Sequence, residues 1–143
     1  MEDFIELQII STVKKILTSR INVMLCDMRF PVPTVEFGEY LGNYAVIPFV
    51  TLSSCERTEK ERIIKLDAYS LTVVFTLPET PESELYCYAY SNAVSKAINE
   101  NPSLCGVANR AVITGKKYIS PQKANCGEGW QLVITMRVTI EEF

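Results

Sequence analysis

Ser53-Ser54-Cys55 sets two hydroxyls beside a thiol, just ahead of Arg57, Lys60 and Arg62. A cysteine attacks as its thiolate, and neighbouring cations lower a thiol pKa. What the group lacks is a base. The 143-residue chain contains no histidine. That removes the Ser-His-Asp and Cys-His nucleophile arrangements, the commonest general base near neutral pH and the commonest zinc ligand. Carboxylate-only and lysine-based chemistry survive. With nothing to shuttle the proton, the thiol reads as an ordinary loop residue.

The other candidates are weaker. Glu56, Glu59 and Glu61 cluster after the thiol, and Glu79, Glu82 and Glu84 cluster further on. The second trio is explained by a helix N-terminus, where negative charge is favoured. Gly115-Lys116-Lys117 and Gly127-Glu128-Gly129 match neither GxxxxGK[ST] nor GxGxxG and do not lead from a strand into a helix. They read as turns, the first with a lysine pair on a solvated face. Tyr86, Tyr88 and Tyr90 alternate, so Tyr86 and Tyr90 share a helix face with Ala93 while Tyr88 points away as a candidate interface residue.

Mixed charge dominates Glu56-Arg57-Thr58-Glu59-Lys60-Glu61-Arg62. Such a run is no catalytic signature. Lying between two apolar runs, it predicts the tip of a long β-hairpin, soluble alone and able to pair charges across a subunit boundary.

The totals agree with a globular protein of one domain, 1–143: 48% apolar, 22% charged, net charge −3. So small a negative charge predicts no broad attraction to DNA or anionic lipid. MEDFIELQII is acidic where a secretory signal is basic, and no apolar run reaches the ~20 residues of a bilayer span. The expectation is a cytoplasmic chain. Its cysteines, Cys26, Cys55, Cys87, Cys105 and Cys126, are odd in number and lack CxxC spacing. Most are expected to be small, partly buried apolar residues without disulfides.

These residues need positioning. Ile5, Ile9, Val13, Ile16 and Leu17 predict an amphipathic helix over 3–21, with a weaker continuation through Val23 and Leu25. Pro31 and Pro33 close that region. Short strands follow at Thr34–Phe37 and Tyr44–Leu52, the second demoted to an edge or a bulge by Pro48. Ile63–Leu77 is the longest strand, with Tyr69, Leu71, Val73, Phe75 and Leu77 on one face. Thr80 as N-cap and Pro81 at the first position start a second helix, which Asn101-Pro102 ends. Val107–Ile119 is a strand bent at Gly115, and Trp130–Ile140 is the cleanest alternation in the chain. The order α-β-β-β-α-β-β predicts an α+β fold with a mostly antiparallel sheet and two main helices.

Taken as a whole, the pattern resembles the tail terminator (tail completion) proteins of long-tailed bacteriophages. The likeness rests on FPVPTVEFGEY after the first helix and on LDAYSLTVVFTL running into TPESELYCYAYSNAVSKAI. It continues in NENPSLCGVANRAVITGKKYIS and in the closing GEGWQLVITMRVTIEEF, so it covers nearly all of the chain. It implies a non-enzymatic ring, typically hexameric, that caps the tail tube and stops its polymerisation. The ring offers a surface to the head or neck connector, and DNA passes through it without sequence recognition. It also implies a place in the virion tail after assembly in the host cytoplasm, with no catalytic residue, cofactor, metal or membrane contact.

A closed ring needs two different patches on each subunit. Glu56, Arg57, Glu59, Lys60, Glu61 and Arg62 in the hairpin, Tyr88, the Lys116–Lys117 pair, and Lys123 and Glu128 in the polar 120–129 loop are the expected contacts. The alternatives are a head-completion or connector protein and, in another class, a small thiol- or carboxylate-dependent enzyme or ligand-binding domain.

Overall fold

The computed structural model describes residues 4–26, 48–59, 65–77, 81–120 and 129–142. Their order is α1 (Ile5–Cys26), β1 (Phe49–Glu59), β2 (Lys65–Leu77), α2 (Ser83–Glu100), β3 (Arg110–Ile119) and β4 (Trp130–Glu142). The four strands make one antiparallel sheet in the order β1-β2-β4-β3. The fold is α+β. The expected strand at 34–37 and the start of the one at 44 lie outside the described residues.

Helix α1 runs a turn beyond the predicted end. Its buried stripe is Ile9, Val13, Ile16, Leu17, Ile21 and Leu25; Val23, expected to extend it, is exposed. The spacing explains the change, because residue 21 lies four after Leu17 and residue 23 falls off the stripe. Helix α2 starts later than predicted. Pro81 and Glu82 form a turn, and Glu82 occupies the N-cap without a side-chain hydrogen bond. Its other end is as expected. The Asn101 N–H donates to the Ile98 carbonyl at 3.0 Å, and its side-chain amide donates to that of Ala97 at 2.9 Å. Two of the carbonyls orphaned at a helix end are thereby satisfied.

Both helices share one core with a single face of the sheet. That face presents Tyr69, Leu71, Val73, Phe75 and Leu77 from β2 and Leu132, Ile134, Met136 and Val138 from β4. Phe75 stacks on Tyr90 of α2, ring centroids 5.1 Å apart and nearly parallel, with both side chains sealed from water. Such a pair adds about 1 kcal/mol to the gain from area burial.

Strand β1 begins at Phe49 and runs through the charged residues as far as Glu59. Glu56–Glu59, expected in the hairpin tip, therefore belong to the strand, and Cys55–Glu59 pair in register with Tyr69–Lys65. A hairpin ladder satisfies the backbone groups that an open loop would leave to water. Pro48 stands just before the strand, β1 is an edge of the described sheet, and its register slips between Leu52 and Ser54. Strand β3 starts at Arg110, because 102–107 turn instead. It forms the other edge and slips between Ile113 and Gly115. The extra residue at each bulge is held in the same way: Ser53 Oγ donates to the Ser70 carbonyl at 3.0 Å, and Thr114 Oγ1 to that of Thr135 at 3.2 Å. Among the described residues no helix is long and apolar enough to cross a membrane.

Candidate assembly surface

Strand alternation sends neighbouring charges to opposite faces of the sheet. Glu56 pairs in register with Ala68 on the open face, and Arg57 with Asp67 on the helix-covered face. The Arg57 guanidinium grips Asp67 with two hydrogen bonds, Nε to Oδ1 at 2.5 Å and Nη2 to Oδ2 at 2.7 Å. Asp67 is only 3% exposed. Arg57 holds its carboxyl below the usual carboxylate range, against a smaller upward push from burial. One predicted contact residue thus has a structural partner within its own chain.

Cys55 lies beside this pair and beside Tyr69, whose hydroxyl also donates to Glu6 of α1 at 3.3 Å. The thiol is not activated. Desolvation of the sulfur is the largest cause raising its pKa, the Asp67 carboxylate adds to it, and Tyr69 and Arg57 only partly oppose it. Desolvation and neighbouring anions push Tyr69 up as well. Cys87 is the one buried cysteine among the four described, its pKa pushed up to about 11 by desolvation; Cys26, Cys55 and Cys105 are exposed. The expectation that most cysteines are partly buried is corrected accordingly, since three of the four described are exposed. Exposure of Cys55 follows from its edge strand, and that of Cys105 from its turn.

Tyr88 is exposed but anchored. Its hydroxyl donates to Glu84 at 2.9 Å, and its ring meets Tyr118 of β3 edge-on at 5.3 Å. Tyr118 is also hydrogen-bonded to Ser91 at 2.8 Å. This cluster fastens α2 to the β3 edge. Lys116 and Lys117 sit in β3 itself rather than in a turn, and they diverge. Lys116 pairs with Ile134 on the helix side and Lys117 with Val133 on the open side. The expected lysine pair is therefore not one patch. Lys60, Glu61, Arg62, Lys123 and Glu128 lie outside the described residues, and of Glu59 only the backbone register is described.

The middle of the open face is rich in short hydroxyl and β-branched side chains, with charged residues such as Glu56, Arg110, Lys117 and Arg137 among them. Thr51, Thr72 and Thr135 share one cross-strand row, and Ser54, Ser70 and Arg137 share the next. Phe49, Val74 and Val133 form an apolar row beside them, Phe49 being 63% exposed. Among the described residues no group of three or more Cys, Asp or Glu stands close enough to hold a metal. A surface groove along α1 is lined by Leu7, Ile10, Ser11, Lys14 and Lys15, with no thiol or carboxylate among the described lining residues.

No protein-family model matches this sequence, and no curated protein matches it.

Sequence reasoning missed Asp67 and Arg110. The signal for Asp67 was a lone acid at an inward position of an alternating strand, which calls for a cation on the facing strand. Arg110 emerges only from the cross-strand register.

Proposed function

We propose that this protein is a non-enzymatic assembly subunit, a tail terminator that closes into a ring on the end of a completed phage or prophage tail tube. The observation that carries the reading is a sheet covered by helices on one face only, with its other face and both edges uncovered among the described residues. A subunit built to continue into neighbours needs such surfaces, and a ring needs two that differ. The whole-chain resemblance supplies the tail terminator in particular. The Cys55 thiol, held in its neutral form, supports a reading without nucleophilic chemistry.

In this role the ring stops tube polymerisation and offers its far side to the head or neck connector. DNA crosses the channel through contacts that carry no sequence information, and a net charge of −3 gives it little to adhere to. Mixing the protein with purified tail tubes and imaging by negative stain tests this. Rings of about six subunits seated on tube ends are expected, with a matching mass by light scattering. A chain that leaves tube ends bare at any concentration overturns the reading. A chain that binds only head connectors moves it to head completion.

A further inference from the structure

Following the register across the sheet links its two edges. Row by row, Phe49 runs through Val74 and Val133 to Lys117, Thr51 through Thr72 and Thr135 to Gly115, and Glu56 through Ala68 and Thr139 to Arg110. Glu56 and Arg110 therefore close opposite ends of one row, both on the open face. The edges run antiparallel to each other, so one copy's β1 can lie beside another copy's β3 as an antiparallel pair with the same face outward. The bulges at Ser53 and Thr114 fall on either side of the row that holds Leu52, Leu71, Met136 and Ile113.

We propose that β1 of one copy pairs with β3 of the next, continuing the sheet in register and placing Glu56 beside the partner subunit's Arg110. This deepens the ring reading and rests on it. Charge selects the occupant. Strand β3 holds Arg110, Lys116 and Lys117 and no acid, while β1 holds Glu56 and Glu59 and has its one cation bound to Asp67. Two β3 edges together would set three cations against three, and two β1 edges together would leave the basic edge uncovered. Bulges and lysines normally blunt an edge against stray strands. A copy whose own bulge lies within one row can still follow the bend. Head-to-tail pairing also matches side-chain faces at every row: Ser54 would meet the partner's Val112 on the open side, and Cys55 the partner's Ala111 on the helix side.

The test compares native protein with Glu56→Arg, Arg110→Glu and the double exchange, using sedimentation and light scattering over a concentration series. Each single change is expected to weaken self-association about tenfold or more, and the double exchange to recover most of it. Circular dichroism checks that each variant is folded. A second arm joins Ser54→Cys to Val112→Cys and oxidises the assembled protein. A ladder of covalent multimers is expected from the pair and from neither change alone. Native protein that forms rings unaffected by the charge changes, and yields no ladder, overturns the edge pairing and leaves the ring reading standing. Native protein that remains monomeric at every concentration overturns the edge pairing as an intrinsic property of the chain. Rings found only on tube ends would then still support the terminator.

Discussion

Asp67, almost wholly buried, is held by both arms of the Arg57 guanidinium across the β1–β2 ladder. The pair is half wet. Arg57 keeps 51% of its side chain exposed and Asp67 only 4%. Removing the arginine would strand a buried carboxylate, whereas removing the carboxylate would leave a cation that can turn to water.

Arg57→Met is expected to cost about 2 kcal/mol at pH 7, a buried-group penalty reduced because solvent already reaches the arginine. The folded pKa of Asp67 lies below its unfolded value. Its contribution is thus present above the unfolded value, about 3.9, and is lost as pH falls through the folded one. Urea unfolding of native protein and Arg57→Met at pH 7 and pH 3 checks this, and the gap between them should narrow at pH 3. An unchanged gap would assign the loss to packing of the arginine stem.

Thiol reactivity should follow environment. At pH 7 Cys26 and Cys105 are expected to label first, Cys55 more slowly and Cys87 only on unfolding. The Cys87 pKa is raised on folding to about 11. Its contribution is fully present below the unfolded value near 8.5 and is lost as pH rises through the folded one. Labelling followed by peptide mass mapping reads the order. Cys55 reacting fastest would reopen the thiol-enzyme alternative.

The turn between α2 and β3 carries backbone strain at two successive residues, with φ of 50° at Leu104 and 57° at Cys105, before Gly106, whose φ of 89° glycine adopts freely. Leu104 is wholly buried and anchors the turn. Cys105→Gly is expected to stabilise the fold by about 1 kcal/mol, since a left-handed conformation costs a side chain that much. Leu104→Ala should cost about 3 kcal/mol through the cavity it leaves. Thermal melts of the two variants would move in opposite directions. A destabilising Cys105→Gly would show that its side chain does more than occupy an exposed corner.

Period alone made much of this protein legible. The alternation in β2 named the inward residues of that central strand, and the threefold and fourfold spacing in α1 named Ile9, Val13, Ile16, Leu17 and Leu25 of its buried stripe, though not Ile21. Gly115 marked the β3 bulge and Pro48 the edge character of β1. Such features are local, because side-chain direction follows from a strand's period of two and a helix's period of 3.6. The missing histidine also acted through composition alone, since the chemistry it excludes is independent of shape.

Which strand lies beside which was decided only in three dimensions. The charged run after Cys55 reads as a hairpin tip by composition, and its residues Glu56–Glu59 became strand because Lys65–Ala68 lay ready to pair with them. The partnership of Arg57 with Asp67 spans ten residues, that of Tyr88 with Tyr118 thirty, and Glu56 meets Arg110's row only through two intervening strands. No period in the sequence encodes such distances. They are set when apolar faces find the one register that buries them all, and the charges are carried to wherever that register puts them.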